Sequence, residues 1–134
     1  MQNGTEVFNS VQIDFQERVN CLIEVAKDHL WLGTVNGLYE YKNEEVRLIE
    51  STYNKNISCL SILNRAIVFG TSGYGLGTLE NNRVTWVNES SGLNSNFIND
   101  LFVEKGTLWV ATKSGLNQIE NDSICQFNRY KGLV

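Results

Sequence analysis

The stretch HLWLGTVNGLYEY, residues 29–41, returns as TLWVATKSGLNQI at residues 107–119, and a looser copy, AIVFGTSGYGLGTL, occupies residues 66–79. Three copies of one pattern in a chain of 134 residues make a repeat, and the repeat decides the fold. Working outward, each copy is preceded by an apolar run: VNCLIEV from Val19, ISCLSIL from Ile57 and INDLFVE from Ile98. Each is followed by a Gly-Leu pair, Gly37-Leu38, Gly75-Leu76 and Gly115-Leu116, and by a last short run at Val46–Ile49, Val84–Val87 and Ile124–Phe127. The units open 38 and then 41 residues apart.

The runs are short, rich in Val, Ile, Leu, Phe and Trp, and bounded by Gly, Asn, Ser and Lys, which predicts strands joined by tight turns rather than helical repeats. Several are apolar on both faces: Leu30 and Leu32 alternate with Trp31 and Gly33, and Ile67 and Phe69 with Val68 and Gly70. A sheet built from them must be covered on both sides. Four strands per unit at this period, stacked face to face around an axis, describe an all-β fold of β-propeller blades.

Within the repeat, Trp31 and Trp109 are expected to pack between blades. Gly33, Gly70 and Ala111, two residues further along the same strand face, leave room for a large side chain of the next blade. Gly37, Gly75 and Gly115 are expected at positive φ in the turn after the repeat's threonines Thr34, Thr71 and Thr112, with Leu38, Leu76 and Leu116 entering the core. The abundance of asparagine fits turns that need left-handed backbone.

WLGTVNGLYEY and WVATKSGLNQI, with the linker SSGLNSNFINDL at residues 90–101, resemble the two-component regulator propeller repeat: Trp-hydrophobic-Gly-Thr, a polar gap, Gly-Leu, then another strand. The resemblance covers residues 19–134; the middle copy carries Val68 in place of Trp, and the third Ala111 in place of Gly. It implies a sensory module of a seven-bladed propeller in the extracytoplasmic, periplasmic part of a membrane sensor histidine kinase. Such hybrid kinases of Bacteroidetes respond to glycans, and the propeller transmits a signal without performing chemistry.

The expected organisation of residues 1–134 is a partial propeller. Residues 1–18 supply the outer strand of a preceding blade, through NGTEVF at residues 3–8, and a connector. Blades follow at 19–50, 57–88 and 98–128, and 129–134 begin another connector. That makes about thirteen strands and leaves two blade faces open to water. Apolar faces of that size predict self-association; a dimer completing a six-bladed ring and a piece cut from a longer receptor both satisfy the pattern.

The formal charge of −4 and scattered basic residues argue against nucleic acid as a partner. No apolar run reaches the roughly 18 residues of a membrane span, and the first twenty residues are too polar for an export signal. Cys21, Cys59 and Cys125 lack metal-ligand spacing and are expected as buried free thiols; a bridge between Cys21 and Cys59 requires adjacent strands. His29, the single histidine, is expected as a solvated turn residue. With one histidine no catalytic triad assembles, and no calcium loop is present. GYGLG at residues 73–77 leads into a strand, not a helix, so it is no phosphate cradle. No metal and no cofactor is therefore expected, and an enzyme of the propeller lyase kind is the most distant reading.

If the chain binds a ligand, the loops of one rim are the place. Val35-Asn36, Ser72–Tyr74, Lys113-Ser114 and the entries at Tyr53–Asn56 and Leu93–Phe97 are expected on the same face. There Tyr53, Tyr74 and Phe97 would stack on a sugar ring or other small molecule, with Asn36, Asn94 and Lys113 as hydrogen-bonding partners. The competing reading is a structural or protein-interaction propeller.

Overall fold

The computed structural model describes residues 15–127, so the strand expected over residues 3–8 and the connector expected at 129–134 lie outside the described residues. Twelve strands form three four-stranded antiparallel sheets, each a simple meander. The first blade holds β1 (Val19–Ala26), β2 (His29–Thr34), β3 (Gly37–Lys42) and β4 (Glu45–Leu48). The second holds β5 (Ile57–Leu63), β6 (Ala66–Thr71), β7 (Leu76–Glu80) and β8 (Arg83–Val87), and the third β9 (Ile98–Glu104), β10 (Thr107–Thr112), β11 (Gly115–Glu120) and β12 (Ser123–Phe127). β4 begins one residue before its expected start because the turn at Asn43-Glu44 has only two residues, which brings Glu45 opposite Lys42.

The outer hairpins show why the chain is rich in asparagine. Asn43-Glu44, Asn64-Arg65, Asn81-Asn82 and Asn121-Asp122 all have positive φ at both positions, as does Lys105-Gly106. This is the two-residue turn whose twist matches that of paired strands, and asparagine tolerates it at small cost. At the other end of each blade the repeat's threonine acts as a bracket. The Thr34 hydroxyl donates to the Gly37 carbonyl and accepts from the Asn36 N–H. Thr71 does the same between the Gly75 carbonyl and the Tyr74 N–H, and Thr112 between the Gly115 carbonyl and the Ser114 N–H. The glycines that follow have φ of 132°, 90° and 147°, which bars a side chain there.

Two apolar cores lie between the blades. The first joins Trp31, Leu38 and Ile49 of blade one to Ile57, Ile67, Phe69 and Leu79 of blade two. The second joins Cys59, Val68 and Leu76 of blade two to Leu93, Ile98, Leu108 and Val110 around blade three. β6 is buried throughout because its two faces serve different cores. The small positions accept the next blade as the sequence suggests. A β-carbon at Gly33 would lie 2.7 Å from Ile57 Cγ2, and one at Gly70 2.5 Å from Ile98 Cγ2.

The cysteines divide. All three are free; Cys59 is buried and Cys21 half-buried, but Cys125 is exposed, against expectation. Cys125 lies on β12, the outermost strand of its blade, where it pairs with Gln118 on one side alone. Burial, with Cys59 nearby as a lesser cause, pushes the Cys21 thiol up to about 11, and burial raises Cys59 as well. Since the thiolate is the nucleophile, both are poor ones at neutral pH. In the folded protein a maleimide is expected to label Cys125 alone, with Cys21 and Cys59 reacting only after denaturation. Equal labelling of the three under native conditions would contradict this arrangement.

Candidate binding rim

The turns between second and third strands and the segments entering the first strands are joined by backbone hydrogen bonds. Ser72 N–H donates to the Asn56 carbonyl at 3.0 Å, Lys113 N–H to Phe97 at 2.9 Å, and Asn54 N–H to Asn36 at 3.2 Å. The Gly73 and Gly75 N–H groups both reach the Asn96 carbonyl, and Ser72 pairs with Phe97 as an isolated bridge. The second blade's turn is thus tied to the entry of the third.

This stitching sets Tyr74 and Phe97 on one continuous surface, both exposed. The Phe97 ring lies over Gly73, where a β-carbon would sit 3.3 Å from Cζ. Lys55 Nζ stands 5.0 Å from the Tyr74 ring centroid and 5.8 Å from that of Trp86, and Lys113 Nζ stands 5.1 Å from the Phe97 centroid. The result is two aromatic rings flanked by two ammonium groups on the same rim. Lys55 was not among the residues singled out from the sequence; its place one residue before Asn56 in a first-strand entry was the available signal.

The remaining rim residues are engaged differently. Asn36 donates its amide to Glu17, which also lies within reach of the Tyr39 hydroxyl. Burial, followed by the nearness of Glu17, raises the Tyr39 phenol. Tyr53 is exposed on the blade-one side of the rim. Asn94 sits against Gly115 and donates to the Leu116 carbonyl, while its own N–H is taken by the fully buried Asn117. Asn94 therefore has a framework role, clipping the connector to β11.

His29 is not a turn residue. It opens β2 opposite Lys42, because the turn before it consists of Lys27 and Asp28, and its Nε2 lies 2.7 Å from Glu40 Oε2. Burial works to raise the Glu40 carboxyl, but the hydrogen bonds from Arg47 and His29 outweigh it and hold the group below its ordinary range. These residues, with Trp31 and Arg65, line a cleft of about 410 Å³ between the first two blades at the rim opposite Tyr74. Within it Glu40 is committed to His29 and Arg47 rather than free to act as a base. Among the described residues no group of three histidine, cysteine or carboxylate side chains is placed to hold a metal ion, and no helix is long and apolar enough to cross a membrane.

No family model and no curated protein matches the sequence. Solved structures do. The extracellular domain of the putative hybrid two component system BT3049 from B. thetaiotaomicron superposes with a TM-score of 0.73 over 98% of this chain, at 21% identity. That of BT4673 from the same organism gives 0.64 over 82%, at 23% identity. The chain shares their fold. It is built of propeller blades, and it spans only 20% and 15% of the length of those two structures. An ancestral GH74 enzyme also matches, with a TM-score of 0.61 over 75% of this chain and 17% of its own, at 16% identity. The blade is thus a scaffold found in extracellular domains of putative hybrid two component systems and in an enzyme alike, and function has to be argued from the site.

Proposed function

We propose that these blades form a non-catalytic sensory module, part of the periplasmic region of a two-component sensor histidine kinase, and that the rim around Tyr74 and Phe97 receives a glycan or a similar small molecule. One observation carries the reading: two exposed aromatic rings, fixed by backbone hydrogen bonds and each accompanied by a lysine, on loops held by rigid sheets. Ring faces bind the apolar face of a sugar, and ammonium groups supply hydrogen bonds to its hydroxyl or acidic substituents. The self-association that completes the propeller belongs to the same reading, because a rim is continuous only when the blades form a ring.

A panel of neutral and uronic-acid oligosaccharides, titrated by calorimetry, tests the rim. Tyr74→Ala and Lys113→Ala are each expected to weaken the tightest binder about tenfold, equivalent to about 1.4 kcal/mol, while the melting temperature stays unchanged because both side chains are exposed. Unchanged binding by both variants would remove the rim from the proposal. A second reading, a module whose purpose is protein association, is favoured by the exposure of Phe102 and Leu22 on opposite outer faces of the three-blade stack. It predicts that no saccharide shifts the melting temperature at all.

A further inference from the structure

The two clefts between neighbouring blades occupy equivalent places and differ in chemistry. Strand register sets His29, Trp31, Glu40 and Arg47 on the face of blade one that looks at blade two. It sets Ala66, Val68, Thr78 and Thr85 at the same positions on the face of blade two that looks at blade three. The second cleft, of about 330 Å³, is lined by those four small residues, and the charged groups at its edge are the carboxyl groups of Glu80 and Asp122. The first, of about 410 Å³, has Arg47 on one wall and Arg65, from the turn between β5 and β6, on the other. In the next turn of this kind the place of Arg65 is taken by Gly106.

Blade two closes its cleft with uncharged residues, so the fold has no need of the charged set. The Glu40 side chain is 13% exposed, and its pairing with His29 and Arg47 offsets a desolvation cost that a threonine at the same register does not incur. What the set provides is a cation on each side of an apolar floor. That floor is Trp31, Ile67 and Leu79, all buried. Glu40 engages Nη2 of Arg47, and Arg65 has no ion-pair partner among the described residues. A guanidinium presents parallel N–H donors that fit the two oxygens of a carboxylate. Glu80, at the edge of this cleft too, disfavours a ligand with more than one negative charge.

We propose that the cleft between blades one and two binds a small monocarboxylate with an apolar body about the size of one aromatic ring, its carboxylate held by Arg47 and Arg65 and its body on the floor at Trp31. The volume falls within the roughly 300–1,000 Å³ of small-molecule sites. The site lies on the rim opposite Tyr74 and does not rest on the saccharide reading.

Phenylacetate is the probe, with phenylacetamide and acetate as controls that lack the charge and the ring. The three tryptophans report where it binds: Trp31 lines this cleft, Trp86 stands beside Lys55 at the other rim, and Trp109 lies in blade three. In two-dimensional NMR spectra phenylacetate is expected to move the Trp31 indole N–H signal saturably, to leave those of Trp86 and Trp109 in place, and to bind at least about tenfold more tightly than either control. Arg65→Asn keeps a residue suited to the φ of 71° at this exposed turn position, and is expected to weaken phenylacetate about tenfold while leaving phenylacetamide unchanged. Phenylacetate that binds no better than its amide, that moves the Trp86 signal instead, or that is indifferent to Arg65→Asn overturns the assignment, and none of these results bears on the saccharide titration.

Discussion

Replacing Phe69 with alanine is expected to cost about 3–5 kcal/mol of unfolding free energy, measured as a lowered urea midpoint with unchanged slope. The ring is fully buried between the first two blades. It meets Trp86 edge to face, with centroids 5.5 Å apart and planes at 85°, and it lies directly over Gly77, its cross-strand partner. An aromatic ring over a glycine fills what would otherwise be a hole in the sheet, so its loss opens a cavity on two sides at once. Gly77 has no side chain with which to refill it. Phe69→Leu, which keeps much of the volume, is expected to lose far less. A loss below about 1 kcal/mol for alanine would show that this ring does not join the blades.

Gly70→Ala is expected to cost about 1–3 kcal/mol through crowding rather than through a cavity. The added carbon would lie 2.5 Å from Ile98 Cγ2, 2.7 Å from Ile98 Cβ and 2.6 Å from Cys59 Sγ. The Ile98 Cβ is fixed to the backbone of β9 in the next blade and cannot swing away, so full relief requires the blades to separate. Combining Gly70→Ala with Ile98→Ala, which removes the 2.5 Å contact to Cγ2 and keeps the one to Cβ, relieves part of the crowding and should destabilise by less than the sum of the two single changes, a coupling readable in a double-mutant cycle. Additive costs would mean that the third blade does not press on this glycine. Ala111 gives the natural contrast: at the equivalent site on blade three, alanine is already present and no following isoleucine lies against it among the described residues.

The strands were legible because each of the four runs in a unit is bounded by turn residues, and the first strands at Val19, Ile57 and Ile98 begin where the apolar pattern starts. The small residues were legible for the same reason: a glycine between bulky strand residues has few uses besides close approach. What escaped was decided across the chain rather than along it. The bracket formed by Thr34, Thr71 and Thr112 depends on turn geometry that a lone threonine does not announce. His29 looked like a turn residue until the two-residue hairpin placed it beside Glu40 on the neighbouring strand. Cys125 shares the type of Cys59 but sits on the outermost strand, and Asn94, a candidate for ligand contact from its loop, is engaged by Leu116 and Asn117. On the rim, the partnership of Lys55 with Tyr74 joins two segments that the sequence separates by nineteen residues.

The fit of Ile57 over Gly33, repeated by Ile98 over Gly70, has a consequence for ancestry. A unit whose trailing face fits its own leading face can be duplicated in tandem, and every new junction arrives ready-made, with no compensating change elsewhere. Such a lineage lengthens or shortens by whole units, and a difference such as Ala111 at the position of Gly33 and Gly70 is the kind that makes one junction in the series prefer a single neighbour.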